Sequence, residues 1–380
     1  MNRKKILIFS TAYFPFVGGA EIAIKEITDR LSGDFDFDII TAKLDSSLLS
    51  KEKVGEVTVY RIGWGVPLLD KLFLPYIGAW KTWQLHKNNN YICFWGVMAS
   101  FASGSAYIVN IFRWIVGKKK VPMVLTLQEG DSEKHFKFKR FGLIDFSWRL
   151  ALNRTDILTA ISNYLIERSK KLGFEGKSFL IPNGVSVELF SPVKHRVFDR
   201  ARVVLITTSR LVEKNAVGDI IKALKLLPEN TSLKILGTGA LENSLKLLAS
   251  SLQLEERVEF LNHVSYEDVP KHLRGADIFI RPSLSEGFGN SFIEAMASGL
   301  PVIATPVGGI VDFLEDGETG LFCKVKDPES IARAVERLVS DESLRNKITT
   351  NAKKMVKERY DWDFIAKEMK EKVFDKVKVQ

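Results

Sequence analysis

Two carboxylates lie eight positions apart around a glycine-rich turn, in the sequence Glu286-Gly-Phe-Gly-Asn-Ser-Phe-Ile-Glu294. The apolar run 276–280 predicts a buried strand before this turn, and 291–298 predicts a helix that ends at Gly299. The start of a helix offers backbone N–H groups and a partial positive charge, which favour phosphates and polar hydroxyls. The carboxylates can accept hydrogen bonds from sugar hydroxyls. The pattern suits a sugar nucleotide, although first-turn acids that complement a helix dipole give the same spacing.

Two cations follow a predicted strand at 203–208, in the sequence Ser209-Arg-Leu-Val-Glu-Lys214. Arg210 offers a planar guanidinium fork and Lys214 a compact ammonium, and together they can neutralise a diphosphate leaving group. Two surface cations would look the same in the sequence. The position at the carboxyl end of a strand favours the functional interpretation, because ligands of open α/β sheets bind there.

Glycine-rich loops follow two further predicted strands. Gly18 and Gly19 open a helix after the first strand, and Gly237-Thr-Gly239 follows the strand at 232–236. Neighbouring glycines allow backbone N–H groups to approach a phosphate. The second loop lacks the dinucleotide fingerprint, because Glu242 stands where a third glycine would lie, and the chain has no full G-x-x-x-x-G-K-[ST] sequence of a P-loop. A nicotinamide-dependent enzyme is therefore disfavoured.

Metal and covalent hydrolase chemistry have little support in the sequence. No H-E-x-x-H pair, G-x-S-x-G elbow or Cys/His arrangement is present. The histidines are scattered rather than clustered: His86, His135, His195, His263 and His272. We therefore expect no metal site built by the protein.

The composition is that of a globular protein, since 46% of the 380 residues are hydrophobic and 27% are charged. A chain of this length usually forms more than one hydrophobic core, so two domains are expected. Cys93 and Cys323 are too few for a disulfide framework and fit a reducing compartment. The apolar run after Lys4-Lys5 is too short for a signal peptide. These features lead us to expect a cytoplasmic protein.

The formal net charge of +9 implies attraction to something acidic: nucleic acid, an anionic membrane or a phosphorylated substrate. No zinc-finger spacing, aromatic RNA-binding motif or long basic arm is present, which disfavours nucleic acid. Basic clusters occur at 118–120 and 134–140, and the second mixes basic with aromatic side chains. Such mixing fits a membrane interface and fits a solvated basic loop equally well.

The stretch 91–112 has no charged residue and is long enough to span a bilayer. It also contains six polar or glycine positions, and a typical strand at 122–127 follows it. A buried strand and then a helix that ends at Gly117 explain the pattern better than a transmembrane helix.

Predicted strands and helices alternate along the whole chain, which indicates parallel, doubly wound sheets. We predict a first domain over 1–190 and a second over 200–360, with a linker at 186–202. The second alternation includes 258–261, 269–274 and 277–280, and ends with a helix at 328–340. Two such domains that face each other would form a ligand cleft.

From Arg154 onward the chain resembles the retaining glycosyltransferases of family 4, which have the GT-B fold. Six motifs occur in the family's order: 154–162, Ile181-Pro-Asn-Gly-Val185, 209–214, 237–239, 286–302, and the glycine pair Gly308-Gly309 followed by 317–321. The first half matches less specifically, through Gly18-Gly-Ala-Glu21 and the strand at 122–127. The resemblance implies two Rossmann-like domains, an acceptor domain followed by a donor domain, with the C-terminal helix at 361–380 packed back on the first.

The resemblance also implies roles for individual residues. Glu286 would contact the donor sugar and Glu294 the ribose, while Arg210 and Lys214 would stabilise the departing diphosphate. The remaining expected donor contacts are Gly18, Gly19, Gly237, Gly239, the base-pocket residues His263 and Val264, and the helix-start residues Phe288, Gly289, Asn290 and Ser291.

One position departs from the family pattern. Many members carry a histidine after the strand at 122–127, and this chain has Gln128. Gln128 can hydrogen-bond a sugar hydroxyl, but it cannot titrate near neutral pH. Glu129 or Asp131 could assist the acceptor hydroxyl, and either could equally be a helix-capping acid.

The resemblance leads us to expect a hexosyltransferase that moves a sugar from a nucleotide-diphosphate donor to an acceptor hydroxyl in glycan, polysaccharide or glycolipid synthesis. No metal would be required, and the enzyme could sit peripherally on an anionic membrane. The aromatic stretch 136–146, with Trp64, Trp80 and Trp83, suggests a lipid-linked or polymer acceptor, although core packing also explains tryptophans. A sugar-nucleotide epimerase or hydrolase, or a non-catalytic carbohydrate-binding subunit, are the alternatives.

Overall fold

The computed structural model describes residues 3–99, 101–130, 143–191 and 198–377. The chain forms two compact units, Met1–Asn183 with Trp362–Gln380, and Gly184–Asp361. Each unit contains an open α/β sheet, which confirms the predicted fold class. The basic cluster at 134–140, Asp131 and His195 lie outside the described residues.

The first unit has an eight-stranded sheet in the order β3-β4-β2-β1-β5-β6-β7-β8. Every neighbouring pair is parallel except β3 with β4. Its strands are β1 (Lys4–Phe9), β2 (Phe35–Ala42), β3 (Lys51–Val54), β4 (Val57–Ile62), β5 (Tyr91–Val97), β6 (Met123–Leu127), β7 (Ile157–Ala160) and β8 (Lys177–Leu180). Strand β8 ends just before the Pro-Asn-Gly sequence at 182–184.

The first unit has six described α-helices: α1 (Gly19–Arg30), α2 (Pro67–Asn88), α3 (Phe101–Ile115), α4 (Leu143–Leu152), α5 (Asn163–Lys171) and, at the C-terminus, α13 (Trp362–Lys372). Successive residues of a strand point to opposite sides of the sheet, and helices cover both of these faces. Ile39 packs in one core with side chains of α1 and α13, whereas Ile40 faces Gly78 of α2. Arg30 of α1 also pairs with Asp363 of α13 at 2.5 Å.

Helix α2 was not predicted from the sequence. Pro75 lies inside this helix, and the apolar residues of the helix occur all round it instead of along one stripe. The expected strand and helix within 91–112 are both confirmed as β5 and α3. Among the described residues, no helix is both long and apolar enough to cross a membrane.

The second unit has a six-stranded parallel sheet in the order β11-β10-β9-β12-β13-β14, which is the order of a Rossmann-type fold. The strands are β9 (Val203–Thr208), β10 (Thr231–Leu236), β11 (Val258–Phe260), β12 (Ile278–Arg281), β13 (Val302–Ala304) and β14 (Leu321–Phe322). Its helices are α6 (Val187–Phe190), α7 (Val217–Leu226), α8 (Glu242–Ser251), α9 (Val269–Arg274), α10 (Asn290–Ala297), α11 (Pro328–Ser340) and α12 (Glu342–Arg359).

Candidate active site

The strand order of the second unit reverses between β9 and β12. These strands are neighbours in the sheet, yet the chain leaves β9 toward β10 on one side and β12 toward β13 on the other. Ligands of open α/β sheets bind in the crevice at the carboxyl ends of such strands. Arg210 and Lys214 follow β9, and Glu286 and Glu294 follow β12. The structure thus brings the predicted cations and carboxylates to one edge of the sheet.

Arg281, the last residue of β12, holds this edge together. Its side chain is only 11% exposed, and its guanidinium forms a salt bridge with Glu286, whose side chain is 10% exposed. Nη1 donates to Ser291 Oγ at 2.8 Å, and Nη2 donates to Asn215 Oδ1 at 3.0 Å. The guanidinium also lies 5.4 Å from the centre of the Phe292 ring. A single buried cation therefore fixes Glu286, the start of α10 and the loop after β9.

The backbone of Glu286 is fixed by the glycine pair that follows β13. Gly308 has a left-handed φ of +57°, and a Cβ at this position would lie 1.8 Å from the Glu286 carbonyl oxygen. Gly309 N donates to the same oxygen at 3.2 Å. Glu286 Oε1 in turn accepts a hydrogen bond from Gly287 N at 3.0 Å. Both the carboxylate and the main chain of Glu286 are held in one position.

Glu294 lies in the second turn of α10, and its side chain keeps some contact with solvent. Burial of the carboxyl raises its pKa to about 7, and the nearby Arg281 charge opposes that rise. The helix begins after Gly289, which has a left-handed φ of +88° and no side-chain cap. No side-chain oxygen of the N-cap therefore occupies the first N–H groups of α10, at Asn290 and Ser291. Phe288 is buried against Phe313 and Tyr360.

The loop that carries Arg210 packs against the Gly237-Thr-Gly239 loop. A Cβ on Gly237 would lie 1.9 Å from Ser209 O, and one on Gly239 would lie 2.4 Å from Leu211 O. Leu211 N donates to Thr238 O at 2.9 Å. The structure thus gives both glycines a steric role beside Arg210, whose own side chain is exposed, and their contact with a donor stays a prediction.

Lys214 belongs to the short 3-10 helix Glu213–Asn215, and its carbonyl accepts a hydrogen bond from Leu284 N at 2.7 Å. Asn215 is 1% exposed and donates from Nδ2 to Arg210 O at 2.7 Å. The two cations are therefore anchored to each other and to the loop after β12 through main-chain atoms.

Ala216 follows in the left-handed region, with φ +51° and ψ +36°. This conformation costs an alanine roughly 1–2 kcal/mol, which a glycine would avoid. The greater freedom of glycine in the unfolded chain offsets part of that gain. We expect Ala216→Gly to raise the free energy of unfolding in urea by about 0.5–1 kcal/mol. Ala249→Gly, within α8, should instead lower it by about 1 kcal/mol. A loss in both variants would contradict the strain at Ala216.

Buried polar atoms collect at the ends of β9 and β12. Four of them have no hydrogen-bond partner among the described residues: Thr208 Oγ1, Ser209 Oγ, Arg281 Nε and Ser283 Oγ. Such atoms are uncommon in folded proteins and are expected where water or a ligand provides the partner. His263 is exposed beyond the end of β11, next to Asn262, whose carbonyl accepts a hydrogen bond from Gly237 N at 2.7 Å. Val264 is partly buried beside it.

In the first unit the strand order reverses between β1 and β5, where Gly18 and Gly19 follow β1, while Gln128 and Glu129 follow the next strand, β6. Gly18 caps α1 and Gly19 begins it, and both are exposed. Gln128 Oε1 accepts a hydrogen bond from Asn183 Nδ2 at 3.2 Å. Glu129 accepts hydrogen bonds from Ala99 N at 2.6 Å and Gln128 N at 2.9 Å. The bonds to Glu129 connect the segment after β5 with the segment after β6.

Burial raises the pKa of Glu129 to about 7, and its backbone hydrogen bonds oppose the rise. Because both carboxylate oxygens already accept N–H bonds within the loop, the carboxyl acts as a structural acceptor in this conformation. Neither N–H group belongs to the first turn of a helix, so these bonds are not those of a helix cap. Asp131, the other candidate, is not among the described residues.

Arg281 and Asn215 were not predicted as site residues from the sequence. The predicted strand ended at residue 280, whereas β12 includes Arg281. Nothing in the sequence indicated a role for Asn215 except its position next to Lys214. Within the described part of the chain, no group of three His, Cys, Asp or Glu side chains is arranged to hold a metal ion.

The chain matches two family models of glycosyltransferases. The first, described as Glycosyltransferase Family 4, matches residues 17–189, and the second, Glycosyl transferases group 1, matches residues 193–355. An uncharacterized glycosyltransferase of Methanocaldococcus jannaschii is 27% identical over 99% of this chain and 100% of its own length. A second one from that organism is 36% identical, but the match spans only 43% of either chain.

Similar folds are found among solved structures. The Anabaena protein HepE, crystallised with UDP-glucose, superimposes with a TM-score of 0.75 at 19% identity, over 98% of this chain and 99% of that one. At this identity the likeness shows the fold alone. The two family models identify the chain as a family 4-like glycosyltransferase, and the likeness to HepE agrees with the GT-B fold.

Proposed function

We propose that the protein transfers a sugar, with retention of anomeric configuration, from a nucleotide-diphosphate sugar to a hydroxyl of a glycan, polysaccharide or glycolipid acceptor. The observation that carries the proposal is the edge of the second sheet where β9 and β12 diverge. Two cations, two carboxylates, an uncapped helix start and unpartnered buried polar atoms meet there. A diphosphate, a sugar and a ribose together require this set of groups.

The carboxylates recognise the two sugar rings in this proposal. Glu286 is fixed by Arg281 and by its main-chain bonds, so its remaining acceptor capacity can bind donor hydroxyls without further ordering. Glu294 would accept bonds from the ribose, and the first N–H groups of α10 would contact phosphate or sugar oxygens. Preorganised groups of this kind lower the entropic cost of binding.

The cations act on the leaving group. As the bond between the sugar and the diphosphate breaks, negative charge develops on the departing phosphate oxygens. Arg210 and Lys214, anchored at the end of β9, would stabilise that charge in place of a metal ion. The acceptor hydroxyl would then attack from the face that the diphosphate leaves, which retains the configuration, and its proton would pass to the departing phosphate oxygen. Gln128, in the first unit, would only hydrogen-bond a donor hydroxyl, since an amide does not titrate near neutral pH.

A thermal-shift screen with UDP-, GDP- and ADP-sugars tests the proposal. A donor present at 100 times its dissociation constant should stabilise the folded state by roughly 2.7 kcal/mol and raise the melting temperature. Only the nucleotide sugars that share one particular base should raise the melting temperature. A screen in which no nucleotide sugar shifts the melting temperature of the folded protein would overturn the proposal. Consumption of a donor without any acceptor would favour a hydrolase or epimerase instead.

Donor binding should also depend on pH through Glu294. Below its pKa of about 7 the carboxyl is protonated, and above it the carboxylate accepts charge-assisted hydrogen bonds from ribose hydroxyls. The phosphates of a nucleotide sugar do not titrate in this range. We therefore expect donor affinity, measured by calorimetry, to rise as the pH increases through 7, and Glu294→Gln to flatten this dependence. An unchanged pH dependence in Glu294→Gln would refute this role.

A further inference from the structure

Exposed apolar side chains concentrate in one region of the first unit. Of the 22 exposed large hydrophobic residues in the described part of the chain, 13 lie between Trp64 and Val116, in α2, α3 and their flanking loops. Contiguous apolar patches of this kind mark interaction surfaces on soluble proteins. None of these residues belongs to the site at the edge of the second sheet.

Helix α2 has two apolar faces. One face packs on the unit's own core through Leu74, whose carbonyl accepts a hydrogen bond from Ser105 Oγ of α3 at 2.9 Å, and through Gly78. The opposite face carries Phe73, Tyr76 and Trp80, exposed by 45%, 67% and 62%. Leu69 and Leu72 lie on this outer face too, at helical spacing. The outer face is therefore a continuous apolar stripe without a partner among the described residues.

The C-terminal end of α3 continues the outer face. Trp114 is 77% exposed, Ile115 64% and Phe112 59%. The ammonium of Lys118, just beyond α3, lies 5.2 Å from the centre of the Trp83 ring of α2, which follows Tyr76 and Trp80 at helical spacing. The two helices thus present their exposed aromatic residues side by side.

The charge of this region has one sign. Between Trp64 and Lys120 the sequence has seven Lys and Arg residues and a single acidic residue, Asp70. Asp70 is 1% exposed and accepts hydrogen bonds from Trp64 N and Gly65 N, both at 2.8 Å. Residues 64–120 therefore expose no acidic side chain around the apolar stripe, and Lys118 and Lys119 stand at one end of it. The neighbouring Lys120 forms an ion pair with Asp156.

We propose that the outer face of α2 and the end of α3 form a docking surface for an anionic lipid bilayer. Apolar and aromatic residues would enter the boundary between headgroups and acyl chains, while the lysines would pair with anionic headgroups. A second copy of this chain would bring the same basic surface and would be repelled. Residues 131–142 carry four Lys and Arg and two acidic residues, so their charge does not complement this surface either.

Flotation of the purified full chain with vesicles tests the proposal. The protein should float with vesicles of phosphatidylcholine and phosphatidylglycerol at low salt, and less with pure phosphatidylcholine or at high salt. Replacing Lys118 and Lys119 together with glutamine should weaken partition by about 25-fold, at roughly fivefold per charge. Trp80→Ser combined with Trp114→Ser should abolish flotation in both salt conditions.

Leu247→Ser is the matched control, because Leu247 is 72% exposed but belongs to the second unit, and its loss should leave flotation unchanged. Wild-type protein that stays unbound with phosphatidylglycerol vesicles would overturn the proposal. So would Trp80→Ser/Trp114→Ser protein that floats like wild type. A lipid-free dimer that these substitutions dissociate, seen by light scattering, would assign the surface to a second copy instead. Donor binding is measured separately, so the two proposals can fail independently.

Discussion

Replacing Lys214 with alanine is expected to lower the rate constant for sugar transfer by about 100- to 1000-fold, because one fixed charge that faces a developing oxyanion has an effect of that size. The loop that carries Lys214 is held by the bond from Leu284 N to Lys214 O and by the bond from Asn215 Nδ2 to Arg210 O, so truncation of the Lys214 side chain should leave the loop in place. The effect should appear mainly in kcat, since the charge on the diphosphate increases as the bond breaks. Steady-state kinetics with the donor found in the thermal-shift screen measure it.

Two variants accompany this measurement. Lys214→Arg keeps the positive charge and should retain more activity than Lys214→Ala. Lys222→Ala removes an exposed lysine of α7 whose pair with Asp219 is 3.7 Å long, and it should be near wild type. If Lys214→Ala raised only KM and left kcat unchanged, Lys214 would bind the ground state and the proposed stabilisation of the leaving group would be wrong.

Arg281→Met is expected to destabilise the second unit by about 3–5 kcal/mol, because it leaves the buried Glu286 carboxylate without its cation. The same change removes the bonds to Asn215 Oδ1 and Ser291 Oγ. Urea denaturation followed by fluorescence measures the loss. Lys222→Met, which breaks an exposed ion pair, should change the free energy of unfolding by no more than about 0.5 kcal/mol.

A second substitution separates the buried charge from the loss of packing. When both members of a buried pair become apolar, no uncompensated charge remains. The double variant Arg281→Met/Glu286→Met should therefore recover part of the stability that Arg281→Met loses. Unfolding of Arg281→Met at the wild-type urea concentration would show that Arg281 does not organise the site.

The fold was predictable because parallel strands buried on both faces read as apolar runs, and because glycine and proline mark the ends of the elements between them. Most strands begin and end within two residues of their predicted positions. Helix α2 was not predictable in this way, since its outer apolar face obscures the periodicity that a core-facing helix shows. The segment 269–274 forms the short helix α9, which its local sequence did not distinguish from a strand.

The functional residues were predictable where a chemical group follows a strand directly, as Arg210 and Glu286 do. The contacts between them were not, because they depend on which strands are neighbours. Only the sheet order places Lys214 beside the loop after β12 and gives Arg281 three polar partners. Gly308 illustrates the same limit: its left-handed φ and its close approach to Glu286 O become visible only in three dimensions.

Release of nucleoside diphosphate from a panel of nucleotide sugars, by wild type, Lys214→Ala and Glu286→Gln, tests the central claim most directly. Glu286→Gln keeps an oxygen that can accept the Arg281 bond, and circular dichroism confirms that each variant is folded. The account predicts that wild type releases the diphosphate from donors of one base when acceptor is present, and that both variants do so about 100-fold more slowly or worse. Near-normal release by both folded variants would contradict it.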